Sequence, residues 1–105
     1  MEDELRERLG RAAGFDWDGG NADKNWKKHG VRFSECEEVF LRAPLVPSEG
    51  ACHARAEERF TVLGTTALGR LLSIVFTFRA DRIRVISARD MSRLERREYL
   101  KHEEA

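Results

Sequence analysis

"RLLSIVFTFRADRIRVISAR", residues 70–89, decides how this chain folds. Its first half is rich in β-branched and aromatic residues and alternates with period two. Leu72, Ile74, Phe76 and Phe78 fall on one side, and Ser73, Val75, Thr77 and Arg79 on the other. A tight "RAD" turn breaks the run before "DRIRVISAR" resumes it. Two antiparallel strands over 70–79 and 81–89 are expected.

Reading upstream, "ERFTVLG" (58–64) is a third strand joined across "TTALG", and "CHAR" (52–55) offers a fourth. In "HARAEERF", His53, Arg55, Glu57 and Arg59 share one face, opposite Phe60 and Val62. Arg79 is expected to share that polar face with Glu57 and Arg59.

Helical periods flank the strands. Downstream, Ser92 and Glu95 have the spacing of a capping box and open a terminal helix with Leu94, Tyr99 and Leu100. Upstream, Asn21 is the expected N-cap of "ADKNWKKH", closed by Gly30. Ser34 and Glu37 are spaced as the capping box of a second short helix containing Cys36, Val39 and Phe40, which Pro44 ends. "FDWD" (15–18) alternates as a short strand would. Residues 1–14 read as an N-terminal extension, a frayed extra helix or tail, ahead of a single domain over 15–105. The resulting pattern is α+β, with helices laid on one face of an antiparallel meander.

Charge is balanced overall, 19 basic against 19 acidic residues in 105, so only its distribution is informative. Two basic islands emerge. Lys24, Lys27, Lys28 and Arg32 meet no acid between them, and residues 79–101 hold seven arginines and a lysine against Asp81, Asp90, Glu95 and Glu98. Arg89, Arg93, Arg97 and Lys101 recur every four residues, a cationic ridge if the last helix starts early. Such a row suits phosphate oxygens, because each guanidinium donates two hydrogen bonds at once. It is equally the pattern of a solvated face with i, i+4 ion pairs, and the lysines equally dress a helix C-terminus. Trp17 and Trp26 read as core or helix-packing residues before base-stacking platforms. Cys36 and Cys52 have no metal or redox spacing, and His53 beside Cys52 lacks a second ligand pair, so no metal site is expected. No apolar run approaches signal-peptide or membrane-spanning length, and a reducing cytoplasm is the economical reading.

Taken together, "FDWDGGNADKNWKKHGV" and "RVISARDMSRLERREY" resemble the BrnT family, the toxin halves of type II toxin–antitoxin pairs. The likeness runs from about Phe15 to Tyr99. It rests on Trp17-Asp18, Asn25, "KHGV" at 28–31, the helix ending in Phe40, and the His53, Glu57, Arg59 cluster. Gly69-Arg70, Arg79, "IRVISARDM" and Glu95-Arg96 with Tyr99 complete it. Asn21 stands where many relatives carry lysine, which implies one cation fewer near the site, and Ala54 stands where serine is common.

The resemblance implies a RelE-like curved antiparallel β-sheet packed against two short N-terminal helices and a C-terminal helix. It also implies a metal-independent, cofactor-free ribonuclease that inhibits translation. The implied partner is a BrnA-like ribbon-helix-helix antitoxin whose dimer holds two toxins. For such an enzyme, Glu57 is the candidate base, His29 a group able to titrate near neutrality as acid or base, and Arg59, Arg79 and Arg89 the candidate cations for the phosphate. Lys28, His53, Arg84, Arg93 and Arg97 would hold RNA, His53 doubling as an acid. A non-catalytic RNA- or partner-binding module is the competing reading.

Overall fold

The computed structural model describes residues 2–42, 44–48 and 58–104. The chain order is α1 (Glu2–Arg11), α2 (Gly19–His29), α3 (Phe33–Leu41), β1 (Val46–Ser48), β2 (Phe60–Thr65), β3 (Leu71–Arg79), β4 (Arg82–Asp90) and α4 (Arg93–Glu104). The strands form one antiparallel meander in the order β1-β2-β3-β4. The central hairpin turns on Ala80 and Asp81, whose φ values of 50° and 64° are the positive angles that a two-residue loop requires.

The alternation read from β3 holds, with Leu72, Ile74 and Phe76 all buried. On β4 it breaks. Val75 pairs with Ser87 while Phe76 pairs with Val85, so Ile86 is an extra, bulged residue. Without the bulge Arg89 would share the parity of Ile83 and Val85 and point into the core. With it, Arg89 lies opposite Ser73 on the other face of the sheet.

The main core packs α1, α2 and α3 on the Leu72 face: Leu5, Val31, Cys36 and Val39 meet Val62, Ile74, Phe76, Ile83 and Val85. Phe40 stacks edge-on to Phe76, and Phe60 and Phe78 close the same layer. The helices do not all lie on this face, contrary to expectation. Val46, Leu63, Met91 and Tyr99 form a second cluster on the opposite side, beneath α4. The buried Tyr99 anchors it, donating its hydroxyl to the Pro44 carbonyl at 2.9 Å.

Several boundaries move for identifiable reasons. Asp18, not Asn21, caps α2, and the Asn21 side chain completes the box by accepting the Asp18 N–H. In α3 the expected Ser34–Glu37 box gives way to Glu35, which accepts the Arg32 N–H at 3.0 Å. "FDWD" contributes a single parallel bridge from Phe15 to Ile83 instead of a strand. The three-residue β1, within a stretch read as a connection, was too short and too proline-marked to show periodicity. α1 is a docked helix: Leu5 is in the core, and the Arg8 guanidinium lies 4.2 Å from the Phe78 ring centroid. The strand suggested at "CHAR" lies outside the described residues. No described helix is long and apolar enough to cross a membrane.

α2 runs along the outer edge of β4, and two asparagines one turn apart make the junction. Asn21 donates to the Val85 carbonyl at 3.1 Å and Asn25 accepts from the Ala88 N–H at 3.0 Å, on either side of the bulge. Both side chains are buried. Asn21 is therefore a structural residue, buried at the junction and not part of an exposed cationic surface.

Candidate active face

Arginines dominate the sequence-derived candidates, and the structure sorts them by what already holds each one. Arg84 is engaged by Asp18 at 3.0 Å and Asp16 at 3.4 Å, with little of its side chain exposed. Arg70, which charge reading passed over, is the most committed: it donates to both oxygens of Glu35 at 3.2 Å and to Asp90 at 2.8 Å. It also reaches the Gly30 carbonyl at 2.9 Å. That residue ties the end of α2, the start of α3 and the end of β4 into one corner. The only signal for it was the Gly69-Arg70 pair in the family likeness.

At this corner the bonds from Arg70 hold the Asp90 carboxyl below its ordinary range, with Arg96 and His29 adding to the effect. His29, the last residue of α2, is thus close to Asp90 and half-buried. Lys28 beside it is exposed.

Next to the corner, Arg89 makes a two-pronged ion pair with Glu95, 2.7 Å from Nη1 to Oε1 and 3.1 Å from Nη2 to Oε2. Glu95 also accepts the Ser73 hydroxyl at 3.3 Å and the Ser92 N–H at 2.9 Å, and Ser92 Oγ caps Glu95 in return. The expected capping box is present. Burial works to raise the Glu95 carboxyl, but the bonds from Arg89, Ser92 and Ser73 outweigh it and the group is held low.

Arg59 sits just before β2, opposite in alternation to the core residue Phe60. The Thr77 hydroxyl holds that segment by donating to the Glu58 carbonyl at 2.7 Å. The Arg59 Nε is buried and has no hydrogen-bond partner among the described residues. By the β3 alternation Arg79 lies on this face too, at the hairpin end. The sheet therefore places Arg59, Arg79 and Arg89 on one face, as the alternation of β2 and β3 had suggested for the first two.

They do not meet in one compact pocket. Arg89 is level with Ser73 and Arg59 with Thr77, four residues along and two strands across, or about 16 Å between backbones. Arg89 marks one end of the face and Arg59 and Arg79 the other, whereas Asp90, the carboxylate that His29 influences, is opposite Leu72 and so turns to the other side of the sheet. Glu57 and His53 lie outside the described residues. Arg93 and Arg97 fall on the exposed side of α4, roughly opposite the inward-facing Glu95 and Tyr99, and Arg89 belongs to β4, so the four-residue ridge does not form. Trp26 is 51% exposed beneath the Arg32 guanidinium, while Trp17 is partly buried and donates to Glu37 at 2.7 Å. Among the described residues no cluster of three or more His, Cys, Asp or Glu side chains is placed to hold a metal. Burial pushes the Cys36 thiol up to about 12, which leaves it unreactive.

Comparison with known proteins agrees with this architecture. Residues 17–95 match the family described as "Ribonuclease toxin, BrnT, of type II toxin-antitoxin system". Among solved structures, the 1.1 Å crystal structure of the Brucella abortus ribonuclease toxin BrnT aligns with a TM-score of 0.54 at 24% identity. The alignment covers 76% of this chain and 97% of that one, a likeness of fold. A search of curated proteins returns no match.

Proposed function

The chain belongs to the BrnT family of type II toxin–antitoxin ribonuclease toxins, an endoribonuclease with an antitoxin protein as partner, and on that premise we propose that it cuts RNA at the sheet face that carries Arg59, Arg79 and Arg89. The observation that carries this reading is Arg59: a guanidinium whose buried Nε–H has no acceptor among the described residues, on the same face as Arg79 and Arg89. A buried donor without a partner costs about 1–3 kcal/mol, a cost that a bound phosphate oxygen would offset.

In the proposed reaction the 2′-oxygen, losing its proton to a base, attacks the adjacent phosphorus. The P–O5′ bond breaks as the 5′-oxygen takes up a proton, leaving a 2′,3′-cyclic phosphate and a 5′-hydroxyl. His29 or Glu57 serves as base. Arg59, Arg79 and Arg89 bear the charge that builds on the phosphorane, and Lys28 adds to the cationic rim. His29, where Glu57 is the base, or His53 gives the 5′-oxygen its proton, and Arg93 and Arg97 contact RNA beyond the face. Arg84, pinned by Asp16 and Asp18, shapes the rim more than it binds.

The reading extends to a metal-independent, RelE-like cleavage that inhibits translation in the cytoplasm. A BrnA-like ribbon-helix-helix antitoxin, two toxins on one antitoxin dimer, masks the same face. Residues 1–14 are an extension to the toxin domain. The deciding experiment incubates end-labelled RNA with refolded, partner-free protein, with and without EDTA. Cleavage that survives EDTA and falls on the order of 100-fold in Arg59→Ala is the expected result. Intact RNA, cleavage abolished by EDTA, or a folded Arg59→Ala protein at wild-type rate would each refute it.

A further inference from the structure

Arg89 carries five N–H donors in a rigid plane. Glu95 takes one from Nη1 and one from Nη2, and the Asp90 carbonyl takes the second Nη1–H at 3.1 Å. What remains is the other edge of the fork, the Nε–H and the outer Nη2–H. These are two parallel donors that no acceptor among the described residues engages. Parallel N–H pairs of this kind match two oxygens of one phosphate.

Glu95 is itself firmly seated, with its side chain 19% exposed. Capping α4 requires only its bond with Ser92. The further contacts, to Ser73 on β3 and Arg89 on β4, tie the carboxylate to the sheet and are unnecessary for a cap. On the reading that Arg89 acts on the phosphate, we propose that Glu95 is a positioning residue. It holds the guanidinium by one edge so that the free edge is presented to the RNA backbone.

The pair is neutral as a whole, so Glu95 contributes direction at the expense of net attraction. Its removal leaves the Arg89 charge uncompensated and the guanidinium free to rotate. RNA then binds as well as before, or better, while turnover falls. A residue that merely supported the fold would not separate the two.

The test measures kcat and KM for labelled RNA with Glu95→Gln, Arg89→Ala and the double variant, each checked for an intact thermal transition. Expected are a kcat loss of roughly ten-fold in Glu95→Gln with KM no higher, and on the order of 100-fold in Arg89→Ala. The double variant should be no slower than Arg89→Ala alone, because Glu95 works through Arg89. Wild-type kcat in Glu95→Gln, or multiplying losses in the double variant, overturns the proposal. Wild-type turnover in Arg89→Ala overturns the underlying assignment of Arg89 itself, a separate outcome. If Glu95→Gln unfolds, Ser73→Ala decides, because it removes one hold on the carboxylate and leaves the Ser92 cap intact. A lower kcat at unchanged KM supports the role, and a wild-type kcat refutes it.

Discussion

Arg59 and Arg70 carry the same charge and do opposite jobs, which their surroundings separate. The buried Nε of Arg59 has no acceptor among the described residues, as suits the proposed phosphate contact, whereas the Arg70 donors are spent within the protein. Replacing Arg70 with alanine should therefore lower stability by about 1–3 kcal/mol, since it strands the partly buried Glu35 carboxylate. Lysine should not restore it, because an ammonium cannot span Glu35 and Asp90 as a planar fork does. Thermal unfolding of the two variants measures this. Wild-type stability in Arg70→Lys would show that charge alone suffices. At this scale the sequence was a partial guide: alternation placed Arg59 and Arg79 together, but nothing in the spacing marked Arg84 as locked by Asp16 and Asp18, residues some 65 positions away.

Among the elements, β4 shows where pattern reading stops. Its two halves alternate correctly by themselves, and the bulge at Ile86 rephases one against the other. One inserted residue moves Arg89 from the main-core side to the α4 side of the sheet, and a local sequence window has no means of registering a pairing that skips a residue. The hairpin was legible because period two runs unbroken through β3 and a turn signal follows it. The start of α2 was misplaced because Asp18, Asn21 and the intervening glycines offer two capping residues, and the reciprocal box selects the earlier one. At the α3–β2 contact the packing is closer than composition suggests. A methyl on Gly64 would overlap the Val39 side chain. Gly64→Ala should cost about 1–3 kcal/mol, read as a lower thermal midpoint, and an unchanged midpoint would mean that α3 moves aside freely.

For the molecule as a whole, acid is the sensitive direction. Asp18, Asp90 and Glu95 all lie below their ordinary values of 3.8, 3.8 and 4.5: Asp18 through the Asn21 N–H and then Arg84, Asp90 through Arg70, and Glu95 through the Arg89, Ser92 and Ser73 bonds that overcome its burial. A depressed carboxylate adds stability that is complete above its unfolded value and disappears as pH falls through the folded one. The thermal midpoint should hold steady from neutrality to about pH 5 and drop below about pH 4.5. Urea titrations across that window test it, and a flat profile would show that these ion pairs contribute nothing net. The placement of α4 on the far face could not be read from its amphipathic spacing, which shows that a helix has an apolar side but not which surface receives it.

The asparagine pair that joins α2 to β4 has a consequence for self-association. A strand at the margin of a sheet offers its backbone groups to any other chain that can align with it. Here Asn21 and Asn25 occupy Val85 and Ala88, and Gly14 and Asp16 occupy Ile83. Two copies of this toxin therefore cannot polymerise by zipping their β4 margins together while α2 stays in place.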